Sequence, residues 1–192
     1  MAPKPYPRQP IFDPPRLTAL RKRISQSTIG IFASAGSVGV RLVQDSYNML
    51  SISLYASFGF EVKEPLLLMR GQPKDKPRPG AEVRAIRKED LGECAALCRK
   101  VHGIERLNEL QDGLKTLSPL IAWREGQVVA YALALHRWPR NHAVAKTEED
   151  TKTLLLGAAP MNSEPMSLLL PVRQASLFSL VFRTGGSEPS CR

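Results

Sequence analysis

The spacing of apolar residues changes period several times along the chain. In DSYNMLSISLYASFGF, residues 45–60, Leu50, Leu54 and Phe58 recur at steps of four, which predicts one short helix with a single apolar stripe. Asn48 stands where a side-chain oxygen can accept an amide hydrogen two or three residues on. Gly59 suits the left-handed turn past a helix end, and Phe60 is the hydrophobic residue that folds back on the last turn. Ahead of this helix VGVRLVQD, starting at Val38, alternates small or apolar residues with polar ones and predicts a strand. Behind it EVKEPLLLM predicts another, its start marked by Pro65.

Further along, VRAI predicts a short strand. EDLGECAALCRKVHG predicts an amphipathic helix with Leu91, Cys94, Leu97, Cys98 and Val101 inward and Gly103 as its stop. A second helix at 105–115 places Leu107, Leu110 and Leu114 on one side. LIAWREGQVVAYALAL reads as a hairpin turning at Glu125-Gly126. TEEDTKTLLLGAA predicts a helix capped by Thr147, with acidic residues in the first turn where the helix dipole favours them. MSLLLPV reads as a strand and ASLFSLVF as a last short helix. The fold class implied is α/β, of the α+β kind with a mixed sheet.

Composition then divides the chain. Six prolines in the first fifteen residues block regular structure, so residues 1–37 read as a disordered basic tail in which only Arg16 to Ile24 suits a short helix. GQPKDKPRPGAE has the proline and glycine content of a linker, placed at 72–82. Ordered domains are expected at 38–71 and 83–184, with 185–192 as a tail.

The net charge of +9 invites a nucleic-acid reading, but seven basic residues against Asp13 alone place six of those nine charges in residues 1–44. With no reader motif present, nucleic acid is not the expected partner. Three cysteines, Cys94, Cys98 and Cys191, give no disulfide framework and suit a reducing cytoplasm. TIGIFASAGSV after a basic lead imitates a targeting peptide, but its apolar part is weak and more than twenty residues precede it. No apolar run is long enough for a membrane span.

The stretch VRLVQDSYNMLSISLYASFGFEV resembles the final βα unit of GNAT-superfamily N-acetyltransferases, N-x-x-(A/S)-x-x-L-Y-x-x-x-G-F. Asn48, Ser51, Leu54, Tyr55, Gly59 and Phe60 stand at its positions. EPLLLMRG is similar to the strand that follows it. VRAIRKEDLGECAALCRKVHG, the Glu125-Gly126 hairpin, HAVAKTEEDTKTLL and LLLPVRQASLF resemble parts of the degenerate second domain of tandem bacterial acetyltransferases. The resemblance implies partial tandem GNAT-like domains, acetyl-CoA as acyl donor, an amine acceptor and no metal. It also implies that Asn48 and Ser51 bind the cofactor and that Tyr55 is the general acid for the departing thiolate. A phenol with reference pKa of about 10 can serve a thiolate near 8.5 when it is well positioned.

The family's glycine-rich pyrophosphate loop, Q/R-x-x-G-x-G/A, has no counterpart upstream of Asn48. Gln26 and Gly30 miss the spacing by one residue, and Gly36 to Gly39 lies too close to Asn48. The expectation is a relative that lacks its front half, with acetyl transfer impaired and a sheet edge open to homodimerisation. The other expectation is a non-catalytic interaction or regulatory module on the same scaffold.

The remaining constellations carry less. Cys94, Cys98 and His102 at steps of four span about 12 Å along a straight helix, too far to converge on one ion with bonds of roughly 2 Å. His136 and His142 flank RWPRN and read as loop or strand-end residues. Trp123 and Trp138 read as core. Glu148, Glu149 and Asp150 read as helix-start acids.

Overall fold

Proline at a first helical position is pre-organised for the turn that follows, and α1 begins in this way at Pro15 and runs to Ser34. The computed structural model describes residues 15–34, 39–73, 75, 79–137, 141–174 and 176–178. The helix is longer than the Arg16 to Ile24 segment expected. Ser27 and Ser34 fit because they bond back to the preceding turn, Ser27 Oγ to the Arg23 carbonyl at 3.0 Å and Ser34 Oγ to the Ile31 carbonyl at 2.9 Å. The rest of the expected tail, 1–14 and 35–38, lies outside the described residues.

Contacts divide the chain into two units, Met1–Lys63 and Glu64–Arg192. In the smaller unit residues 39–45 are not a strand, contrary to expectation. Among the described residues up to Lys63 there is no strand for their amides to pair with, and residues 39–43 are exposed instead. Helix α2, Met49–Ala56, has the expected start and stop. Asn48 Oδ1 accepts the Ser51 amide at 3.2 Å. Gly59 has φ 82° and the Phe60 amide returns to the Tyr55 carbonyl at 3.1 Å.

The larger unit is built differently. Strand β1, Leu66–Gly71, starts just after Pro65 as expected, yet it pairs antiparallel with β6, Met166–Pro171, from Leu66↔Pro171 to Gly71↔Met166. It thereby joins the 64–192 unit, which moves the boundary from the expected 71/72 to 63/64. The start of the expected linker is fixed as well. Gln72 Nε2 donates to the Ala159 and Asn162 carbonyls at 2.8 and 3.0 Å.

Next come β2, Ala81–Ala85, helices α3, Leu91–His102, and α4, Leu107–Thr116, then strands β3, Leu120–Arg124, β4, Gln127–Ala132, and β5, Ala143–Ala145. The strands form one antiparallel sheet in the order β2-β3-β4-β5. Glu125 and Gly126, φ 53° and 71°, make the two-residue turn between β3 and β4. A bulge where Ala122↔Ala130 gives way to Trp123↔Val128 adds one residue to β4. Helix α5, Glu148–Ala158, then leads to β6.

Both faces of the sheet are covered, so β4 is almost wholly buried. On one face Ile121, Val128, Tyr131 and Val144 meet Cys94, Leu97 and Cys98 of α3 and Leu110 of α4. On the other, Ala122, Val129 and Ala130 meet Leu154, Leu155 and Ala158 of α5 and Met166, Leu168 and Leu170 of β6. Gly157 permits the close approach of α5 to β2, because a Cβ there would collide with the Val83 side chain. The α+β class expected from the pattern is the class observed, but in place of the mixed sheet expected the ladders between the described strands are all antiparallel. Of ASLFSLVF, residues 176–178 are helical with Leu177 buried, and the others lie outside the described residues.

Candidate functional site

Asn48, Ser51 and Tyr55, at i, i+3 and i+7, lie along one face of α2. Each has a local engagement. The Asn48 oxygen caps the helix, and Ser51 Oγ donates to Gln44 Oε1 at 2.7 Å. The Tyr55 ring meets Phe60 edge-on, centroids 5.4 Å apart and planes 64° apart. Tyr55 is half-buried, and no residue of α2 is fully buried. The structure thus keeps the three residues together on one helix without a paired strand before them.

In the larger unit an open groove of about 480 Å³ is lined by Gly80, Ala81, Glu82, Arg84, Trp123 and the Arg124–Gly126 turn. Trp123, expected in the core, is half-buried on its wall with the Arg84 guanidinium 5.5 Å from the ring centroid. Trp138 lies outside the described residues. The cations of the groove are already matched. Arg84 donates bidentately to Asp90 at 2.7 and 2.8 Å, and Arg124 meets Asp150 at 2.8 Å. The Arg84 hydrogen bonds hold the Asp90 carboxyl below its usual range against the opposing effect of burial, and Asp90 in turn raises the pKa of Arg84.

The N-terminus of α5 is likewise filled by the chain itself. Thr147 Oγ1 accepts the Asp150 amide at 3.1 Å and donates to Asp150 Oδ2 at 2.7 Å. Asp150 is fully buried, and Glu148 and Glu149 share its turn.

Cys94 and Cys98 face the core of α3, whereas His102 is exposed at its end. Burial pushes the Cys94 thiol up to about 12. Among the described residues no group of three His, Cys, Asp or Glu is placed to hold a metal ion. Beside them lies a cluster that periodicity did not single out. Tyr131, fully buried in β4, has its hydroxyl 3.4 Å from His142 Nε2, and Glu109 Oε2 lies 3.6 Å from His142 Nδ1. His142 was legible only as a strand-end residue. Nothing in its neighbours shows that β5 begins beside it and carries it against α4.

No family model matches this sequence, and no curated protein matches it. A solved Drosophila protein, a structural genomics target, is similar over 76% of this chain and 55% of its own length, at 18% identity and a TM-score of 0.52. Likeness at that identity shows the fold alone. The chain spans about half the length of that structure.

Proposed function

We propose that this chain is built on a GNAT N-acetyltransferase scaffold and that its larger unit serves as a non-catalytic interaction or regulatory module. The order from β2 to β6 supports the scaffold: strand, two helices, hairpin, helix and strand follow one another as expected for the second domain of a tandem pair, with the short strand β5 added between hairpin and helix. The N-terminus of α5 carries the non-catalytic reading. Acyl-CoA sites of this kind need bare amides and a positive helix end for the pyrophosphate. Here Thr147 and the buried Asp150 occupy that end, and an incoming diphosphate would face Glu148, Glu149 and Asp150 together. A module of this kind offers β2 and β5, the two sheet edges, to a partner or a second copy.

The second reading is transfer of an acetyl group from acetyl-CoA to an amine by the smaller unit. The shared face of Asn48, Ser51 and Tyr55 favours it. Asn48 and Ser51 would hold the cofactor, and Tyr55 would return a proton to the thiolate as the neutral amine attacks.

Calorimetric titration of acetyl-CoA into the whole chain, paired with an assay for released thiol on a panel of amines, separates the two. The first reading expects no binding tighter than about millimolar and no thiol release. Binding near 1 μM with release that falls in Tyr55→Phe overturns it and establishes the second. No described helix is long and apolar enough to cross a membrane.

A further inference from the structure

The imidazole of His142 precedes the three-residue edge strand β5 and closes the gap between that edge and α4. Its side chain is only 10% exposed, and Nδ1 is buried without a hydrogen-bond partner. Nε2 faces the Tyr131 hydroxyl at 3.4 Å, with the rings edge-on at 88°. The backbone at this point holds the strand end, since the Leu133 amide donates to the His142 carbonyl at 3.0 Å. Beyond it Ala143↔Ala132, Val144↔Tyr131 and Ala145↔Ala130 join β5 to the sheet, and the Lys146 amide donates to the Val129 carbonyl at 3.0 Å.

We infer that His142 is an acid-released latch: uncharged it fastens β5 to β4, and charged it leaves its pocket and frees the edge of β4 for pairing with another strand. The surroundings explain why a charge cannot stay. From α4 the pocket receives Glu109 and, at its start, Arg106, 3.3 Å from the same carboxylate. From α3 comes His102, and from β4 comes Tyr131, whose own hydroxyl lies near Cys94 and Cys98 of α3. The single carboxylate is already shared with Arg106, so an imidazolium would add a second cation beside it. Burial first, then Arg106 and His102, lower the pKa of His142 to about 4.

The sign follows from linkage. A histidine that takes up its proton more readily when exposed stabilises the closed strand above its free pKa near 6.5, and that contribution fades as pH falls toward 4. The reading is independent of any acyl-CoA site.

Amide exchange of the whole chain, corrected for intrinsic rates, tests it. Between about pH 7 and pH 4 the protection of Leu133, Val144 and Lys146, whose amides face across the β4–β5 ladder, should fall by about a hundredfold. Ala122 and Ile121 in β3 should keep theirs over that range. His142→Asn should remove the pH dependence at β5. In the unsubstituted chain the His142 ring proton should titrate near 4, at the acid end of the loss, which keeps the test open if the variant does not fold. Equal loss in β3 and β5, pH-independent protection of β5, or a His142 titration near 6.5 each overturn the latch.

Discussion

Two helices of this protein start alike and end in opposite surroundings. Asn48 caps α2 by accepting the Ser51 amide, and Thr147 caps α5 by accepting the Asp150 amide, at 3.2 and 3.1 Å. Yet α5 buries Asp150, Thr153, Leu154, Leu155, Leu156 and Ala158, whereas α2 buries none of its eight residues. Met49 and Leu50 on α2 are 63% and 41% exposed. Caps decide where a helix begins, and tertiary neighbours decide whether it contributes to a core.

The largest expected effect sets the two helices side by side. Leu154→Ala should lower the unfolding free energy of the chain by about 2–5 kcal/mol in urea titration, while Leu50→Ala should change it by no more than roughly 0.5. Equal effects would erase the contrast. Asp90→Asn comes next, at about 2 kcal/mol, because it breaks the bidentate bond to Arg84 and weakens acceptance of the Arg87 amide at 2.7 Å. Asp90 also predicts a pH effect. Its folded pKa is depressed, so its stabilisation is complete above the unfolded value near 4 and is lost as pH falls through the folded one. The acid limb of stability against pH should therefore be shallower in Asp90→Asn.

Gly157→Ala probes the seating of α5 on the sheet. The added methyl would lie 2.7 Å from Val83 Cβ, and its overpacking should outweigh the helix-propensity gain by about 1 kcal/mol in thermal unfolding. Smallest is the pair of cap removals. Thr147→Ala should cost about 1 kcal/mol of global stability, whereas Asn48→Ala should reduce the amide protection of α2 and leave the global midpoint in place.

The same contrast explains what the residues disclosed in advance. The boundaries of α2, α3 and α5 and the Glu125-Gly126 turn rest on interactions within a few residues, and side-chain type encodes these directly. Gly103, with φ 74°, ends α3 where its position in the pattern predicted. Pairing over distance is not encoded in that way. The run Leu66–Met69 announces a strand, but nothing in four apolar residues names Met166–Pro171 as its partner. VGVRLVQD alternates like a strand, yet its residues 39–45 meet no ladder among the described residues of their unit. Of the candidate site, the Asn48, Ser51 and Tyr55 face was legible because it lies on one helix. The Tyr131, His142 and Glu109 cluster was not, since β4, the start of β5 and α4 bring it together from positions up to 33 residues apart.

The ladder between β1 and β6 also bears on synthesis. Leu66 emerges from the ribosome about a hundred residues before Pro171, its register partner. At about 5–20 residues per second, the apolar strand waits roughly 5–20 s with neither edge matched. Nascent chains stalled between those two points should recruit holdase chaperones through Leu66–Met69, and chains released past Pro171 should let them go.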